Sequence, residues 1–389
     1  MFVKSYLDTA AAIIAGYNGG EPLAAFLKKY FAGQKKFGSR DRKQISNLVY
    51  CYFRLGHSFQ HAPVQEQLLA GLFMCSQTQQ PVLQQLMPEW NEKVAAPLEQ
   101  KIALLQKELR FDPEKIFNLA HHLSPEIDRA AFTRSFLVQP DTYLRIRPGK
   151  KEKVIAQLED AGVSYELLSD YTVAVPPAAK LDDLLMLDRD AVVQDRSSQL
   201  VLSLLTPFAD DLKKGFSSWD CCAASGGKSL LLHDAFPKAR LTVSDIRSSI
   251  LANLRKRFER AGINDYQWFV GDLSDAHFQH KPTYDLVLCD APCSGSGTWG
   301  RTPEWLRFFP EEKIEYYAGL QKSIATKAAQ NVKNGGLFLY ITCSVFYREN
   351  EAVVQELQQE CGLSLEAQQY FKGYDNKADT LFAALLRKA

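Results

Sequence analysis

Ser218-Trp219-Asp220-Cys221-Cys222-Ala223-Ala224-Ser225-Gly226-Gly227-Lys228 passes from a short strand-like stretch through small residues into a double glycine, where a strand turns sharply into a helix. The same sense repeats downstream. Leu241-Thr242-Val243-Ser244 ends at Asp245 and gives way to helical spacing from Ser248 to Ala261. Tyr266-Gln267-Trp268-Phe269-Val270 ends at Gly271-Asp272, and Tyr284-Asp285-Leu286-Val287-Leu288 runs on to Asp290. A helical stretch from Pro310 to Asn331 then precedes Gly335 to Ile341, which ends at Thr342-Cys343-Ser344. Strands alternating with helices over 199–389 predict an α/β domain built on a doubly wound parallel sheet, with its ligands outside the carboxyl ends of the strands.

Upstream the periodicity changes twice. Residues 1–125 read as helices: Ala10 to Ala15 is a strong helix former stopped by Asn18-Gly19-Gly20, and Pro22 opens the next helix. Ser39-Arg40-Asp41-Arg42 caps a third, with Ile45, Leu48, Val49 and Tyr52 at helical spacing. Further apolar helical stretches cover Val64 to Ser76 and Pro97 to Leu109. Residues 126–198 read as a small α+β connector. Thr142 to Arg147 alternates as a strand, Lys151 to Ala161 is an amphipathic helix, and Tyr165–Leu168 with Thr172–Val175 forms a hairpin.

The 389 residues are 46% apolar and 23% charged, with no apolar run of membrane-span length and no signal-peptide pattern at Met1–Asp8. A cytoplasmic protein without membrane association is expected, and a monomer. Eight cysteines do not form a disulfide framework at this length, and without paired C-x-x-C knuckles no metal is expected. The net charge is only +1, so nucleic-acid affinity must come from local clustering. One cluster exists between Lys28 and Arg54, with Lys35, Lys36, Arg40, Arg42 and Lys43 at its centre and aromatics interleaved. It reads either as a solvated helix face or as a footprint for RNA. The basic run Arg145 to Lys153 carries the same two readings.

Three features carry chemistry. Gly226-Gly227-Lys228-Ser229 resembles the tail of a phosphate-binding loop, but Cys222 stands where that loop needs glycine, which removes the nucleoside-triphosphate reading. A glycine turn remains, where backbone amides can approach a ligand. Asp245 and Asp272 then end the next two strands; behind a glycine turn, such acids suit the ribose hydroxyls and base amine of an adenosine-containing cofactor. Finally, Cys293 in Asp290-Ala291-Pro292-Cys293-Ser294-Gly295 and Cys343 in Thr342-Cys343-Ser344 occupy equivalent positions after two strands. Together with Asp290 they point to covalent catalysis, since a thiol adds reversibly to an electron-poor carbon near neutral pH. Cys51, Cys75, Cys221, Cys289 and Cys361 read as small buried hydrophobes.

The glycine turn, Asp-Ala-Pro-Cys-Ser-Gly, Thr-Cys-Ser and Glu349-Asn350-Glu351 together resemble the Sun/Fmu (RsmB-type) family of S-adenosylmethionine-dependent RNA cytosine-C5 methyltransferases. Val193-Gln194-Asp195-Arg196-Ser197-Ser198-Gln199-Leu200 resembles that family's approach to its catalytic domain. Leu27 to Arg54 resembles the NusB-like helical domain of the bacterial ribosomal branch. The resemblance implies a class I methyltransferase fold, S-adenosylmethionine as cofactor and RNA, most of all 16S ribosomal RNA, as partner. It implies that Cys343 adds to C6 of a flipped-out cytidine, that Asp290 contacts the base near N3, and that Cys293 helps remove the C5 proton and release the product. Cys222, Ala223, Ala224, Ser225, Gly226, Gly227, Lys228, Asp245 and Asp272 would line the cofactor site, with Asp290 adjoining it.

The chain departs from the family at three places. Ser225 stands where proline is usual, Ile250 stands where the family often has an arginine (with Arg247 nearby), and Thr298 to Leu306 is less basic than its counterpart. Rival readings stay open: transfer RNA as acceptor, a protein or small-molecule acceptor, or a non-catalytic RNA-binding or ribosome-assembly factor on the same scaffold.

Overall fold

A computed structural model describes residues 2–34, 36–177 and 179–389, and two sheets organise the C-terminal two-thirds of it. The first holds β1 (Thr142–Ile146), β2 (Glu166–Ser169), β3 (Thr172–Val175) and β4 (Ala191–Val193) in the order β2-β3-β1-β4. All its pairings are antiparallel. The expected hairpin is β2–β3. Leu144, Ile146, Val173 and Val175 alternate onto one face and pack on Val154 and Leu158 of the helix Lys151–Asp160.

The second sheet holds β5 (Ser217–Asp220), β6 (Arg240–Asp245), β7 (Tyr266–Val270), β8 (Tyr284–Asp290), β9 (Val332–Thr342), β10 (Leu363–Phe371) and β11 (Leu381–Lys388), in the order β10-β11-β9-β8-β5-β6-β7. β5 to β9 run parallel, as the strand–helix alternation predicts. The sheet is nonetheless mixed, because β11 lies antiparallel between β9 and β10. The connection from β10 to β11 (372–380) contains only a four-residue 3-10 turn, Gly373–Asn376. With no helix to carry the chain back across the sheet, β11 must return as a hairpin. β9 is buried without a break from Gly336 to Thr342, as befits a central strand covered on both faces, whereas the edge strand β7 is largely exposed. The strand order reverses between β5 and β8. This switch point opens a crevice at their carboxyl ends.

Contacts within the chain divide it into two units: Met1–Leu123, Asp128–Gln139 and Thr298–Glu311 in one, and Ser124–Ile127, Pro140–Gly297 and Glu312–Ala389 in the other. The first unit is helical. Its helix Ser39–Arg54 begins one residue earlier than the sequence suggests: Gly38 is the cap, and the Asp41 carboxylate accepts from Gly38 N at 3.0 Å. That helix lies so close to Val64–Cys75 that a Cβ on Gly71 would stand 2.6 Å from Cys51 O. The segment 298–311 is integral to this unit. Glu304 accepts from Leu23 N at 3.0 Å, the Arg307 guanidinium lies 4.1 Å from the Tyr52 ring centroid and donates to Gln67 Oε1 at 3.0 Å, and Trp299 is buried against Phe117. No helix among the described residues is long and apolar enough to cross a membrane.

Candidate active site

β8 and β9 are neighbours in register, Asp290 facing Ile341, and each ends in a loop bearing one cysteine. Ala291 N donates to Ile341 O at 3.0 Å, which keeps the two loops side by side. The Sγ atoms of Cys293 and Cys343 stand 3.2 Å apart. Gly297, at the end of the first loop, donates to Cys343 O at 2.9 Å. A Cβ there would meet Thr380 O at 2.0 Å, so only glycine permits the approach.

A buried carboxylate holds this geometry. Glu349 accepts from Ser294 N at 2.8 Å, beside Cys293, and from Ser344 Oγ at 2.9 Å, beside Cys343. Gln321 Nε2 donates to it at 2.8 Å as well. Asn350 adds a second clasp, its Nδ2 donating to Ser344 O at 2.9 Å and its Oδ1 accepting from Thr342 Oγ1 at 2.5 Å. Both side chains are fully buried. Burial raises the Glu349 carboxyl above its ordinary range while the donors around it oppose the rise. A carboxylate bonded to both loops at once fixes the distance between the two thiols.

The thiols face a cavity of about 500 Å³ lined by Cys222, Ala224, Asp245, Asp272, Asp290, Cys293 and Cys343, with Arg247 and Tyr316 among its other walls. Lys228 Nζ meets Asp290 Oδ2 at 2.7 Å. Asp245 accepts from Ala224 N at 3.0 Å and pairs with Arg247 Nε at 3.2 Å. Arg247, which stands near the position of the family's arginine, thus faces the expected acid. Asp272 is held below its ordinary pKa, first by Ser274, whose hydroxyl and backbone N–H both donate to it.

The rest of the glycine turn supports this wall without lining it. Ala223 N donates to Ser244 O at 2.8 Å, and Ser225 Oγ accepts from Arg257 Nη1 at 3.1 Å. Gly226, at φ +83°, caps the helix Gly227–Ala235 and packs so tightly on Leu254 that a Cβ would approach it to 2.8 Å. Gly227 follows as the first residue of that helix.

Electrostatics distinguish the two thiols. Cys293 is pushed well above the ordinary thiol range, first by its hydrogen bond with Cys343, then by burial and by the charges of Cys343 and Glu349. Cys293 therefore keeps its proton near neutral pH. Beneath the cavity, burial pushes Asp220 up to about 7 although Ser229 Oγ donates to it at 2.5 Å. Its Oδ1 finds no partner among the described residues.

The basic clusters resolve differently. Lys36, Arg40 and Lys43 are exposed on the helical unit, while Arg42 is half-buried and donates from Nε to Phe37 O at 2.9 Å. Lys35 lies outside the described residues. Arg54 does not belong to an open face: it is buried, with Nη1 donating to Phe136 O at 2.9 Å and Nη2 to Gly300 O at 2.8 Å. Nor is the run Arg145 to Lys153 a free surface. Arg145 and Arg147 close on Asp234 at 2.5 and 2.8 Å, Lys151 pairs with Asp170, and Lys153 with the buried Asp190. Sequence reasoning missed Asp220 and the role of Glu349 as a bridge, because both depend on pairing between distant segments.

Residues 207–382 match the family described as 16S rRNA methyltransferase RsmB/F. The chain is similar to the ribosomal RNA small subunit methyltransferase B of Serratia proteamaculans, 30% identical over 228 residues covering 57% of this chain and 52% of that protein. The corresponding protein of Shewanella oneidensis is 35% identical over 170 residues, 43% of this chain and 38% of that protein. The chain therefore spans about half the length of the curated relatives it matches, or less. Among solved structures, PH0851 resembles it with a TM-score of 0.69 at 19% identity over 95% of both chains. NSun6 from Pyrococcus horikoshii, solved with SFG, gives 0.59 at 16% identity over 69% of this chain and 96% of that one. At those identities the likeness is one of fold.

Proposed function

We propose, from the match of residues 207–382 to the 16S rRNA methyltransferase RsmB/F family, that the protein methylates C5 of a cytidine in RNA, 16S ribosomal RNA above all, through a transient bond between Cys343 and C6. One observation carries the reading: two thiols 3.2 Å apart at neighbouring strand ends, of which one is held protonated, facing a cavity they share with Asp290, which Lys228 pairs at 2.7 Å. Bound S-adenosylmethionine supplies an electrophilic methyl group. Asp245 suits its ribose, Asp272 its adenine amine, and the glycine turn its backbone contacts.

Cytosine C5 is a poor nucleophile until a group adds at C6. Cys343 forms that S–C6 bond as thiolate, and the electron pair moves toward N3, where Asp290 and its partner Lys228 stand to accept or donate a proton. C5 then takes the methyl group. Once Cys343 is bonded to carbon, its sulfur no longer holds the Cys293 proton in place, so Cys293 gives that proton to solvent and, as thiolate, takes the C5 proton. The S–C6 bond then breaks and Cys343 returns to thiolate. The base must leave its stack to reach the cavity, which favours a loop or single-stranded cytidine. In this reading the helical unit is NusB-like and binds RNA through Lys36, Arg40, Arg42 and Lys43, and the work is done in the cytoplasm, where ribosomes are assembled.

Incubating Cys293→Ala with S-adenosylmethionine and 16S rRNA tests the proposal. The expected result is methylated RNA held covalently on the protein, seen as a slow band on a denaturing gel and absent from the Cys293→Ala/Cys343→Ala double variant. A trapped band with Cys343→Ala instead would exchange the two roles. No trapped band with either single variant would overturn the covalent route.

A further inference from the structure

Three thiols converge where the sequence shows no metal-binding spacing. Cys221 and Cys222 follow β5, and Cys289 is the last residue but one of β8. These strands pair in parallel with Asp220 opposite Leu288, and Cys221 N donates to Leu288 O at 3.0 Å. That register brings all three sulfurs within 4.8 Å of one another, and none is in a disulfide. Cys221 and Cys289 are buried, while Cys222 is partly open and lines the cavity.

The arrangement has the parts of a thiolate metal site. A tetrahedral cation with sulfur ligands at about 2.3 Å sets those sulfurs about 3.8 Å apart. A separation of at most 4.8 Å therefore needs a closure of about 1 Å or less, within reach of side-chain rotation. Two ligands come from one strand end and one from its neighbour, so the sheet fixes their spacing as a zinc knuckle would. The side toward Cys222 stays open, leaving a fourth position for water or for Asp290, the residue after Cys289. Packing alone explains one buried cysteine, as a small apolar side chain. It does not explain three sulfurs meeting at one point.

We propose that Cys221, Cys222 and Cys289 form a binding site for a thiophilic divalent cation of the Zn²⁺ and Cd²⁺ class. Each ligating thiol gives its proton to solvent as the metal binds, and nothing is oxidised or reduced. Since Cys221 and Cys222 also belong to the cavity wall, an occupied site stands on the floor of the cofactor crevice. Metal and S-adenosylhomocysteine then exclude each other, a consequence that rests on the methyl-transfer reading.

The test uses the full chain, freed of metal and kept reduced with a phosphine. Cd²⁺ is added while the ultraviolet sulfur-to-metal charge-transfer absorption is followed, and X-ray absorption at the cadmium edge counts the sulfur ligands. The expected result is one tight equivalent with three sulfurs. That signal should survive Cys293→Ser/Cys343→Ser and weaken at least about tenfold in Cys289→Ala, taken as loss of one of three ligands. A count of two sulfurs, or a signal that persists in Cys289→Ala and vanishes in Cys293→Ser/Cys343→Ser, would overturn the proposal by assigning the metal to the other pair. The sulfur count on the unmutated protein decides the matter even where Cys289→Ala fails to fold. Neither readout involves cofactor or RNA, so failure of the metal site leaves methyl transfer standing, and the reverse holds too.

Discussion

Two groups of thiols sit on one sheet, a few residues apart, in opposite surroundings. Cys293 and Cys343 lie in loops beyond the strand ends, and hydrogen bonds from both loops converge on the buried Glu349. Cys221, Cys222 and Cys289 are brought together by the pairing of β5 on β8, and the neighbours that bear on each of their thiols first are the other thiols of the group. The residue type is the same, so the difference in chemistry is made by what surrounds it. A carboxylate clasp holds two sulfurs 3.2 Å apart and keeps Cys293 protonated. A bare cluster has no clasp, and what it offers is affinity for something that likes sulfur.

The sharpest way to break this contrast is to remove Cys343. Cys343→Ala should lower methyl transfer by on the order of 10⁴-fold or more, measured by incorporation of labelled methyl into RNA, since loss of a covalent nucleophile forfeits the whole route. Loss of the clasp should cost less. Glu349→Ala leaves Ser294 N and Gln321 Nε2 without their acceptor and should lower kcat about 10²-fold while KM for RNA changes little. In thermal unfolding the same variant should lose about 2–4 kcal/mol. A change confined to KM would remove Glu349 from the positioning of the pair.

A third measurement reads the proton directly. The Cys293 pKa lies well above the ordinary 9.0 because of Cys343 and burial. A raised pKa leaves the thiol protonated, and so unreactive, at neutral pH; its reactivity should rise only above pH 9. Iodoacetamide at pH 7.5 should therefore label Cys343 at least about tenfold faster than Cys293, as followed by peptide mass spectrometry. Equal or reversed rates would place the proton on the other sulfur. The smallest effect belongs to the cluster: Cys289→Ala removes one buried sulfur and should cost about 1 kcal/mol of stability.

Much of this was legible before any coordinates. Each parallel strand from β5 to β9 ends at, or runs directly into, a small or acidic residue, and that punctuation survives in the sequence whatever the tertiary context. β10 and β11 left no such mark: Leu363–Phe371 mixes apolar and polar residues without clean alternation, and Leu381–Leu386 is an apolar run that suits a helix as well as a strand. The cysteine pair could be read because each member follows its strand in the same way. The three-thiol cluster could not, since Cys222 and Cys289 become neighbours only through the register of β5 on β8. Glu349 lies near Cys343 along the chain, yet its bond to Ser294 spans 55 positions. Arg54 misled for a related reason: charge is visible in sequence, whereas the carbonyls that receive it, from Phe136 and Gly300, are not.

The segment 298–311 has a consequence for inheritance. The chain runs from Cys293 through Gly297 and straight into residues that fold with the helices, contributing Trp299, Glu304 and Arg307 before it returns at Glu312. A helical unit cut out at residue 139 would lack the indole that packs on Phe117 and the carboxylate that accepts from Leu23. Recombination that swapped only the front of the gene would therefore pair helices from one ancestor with a strap from another. The two units are bound to be passed on as a set, and changes in residues 1–139 should be matched by changes in a short stretch far away in the gene, inside the other unit's coding sequence.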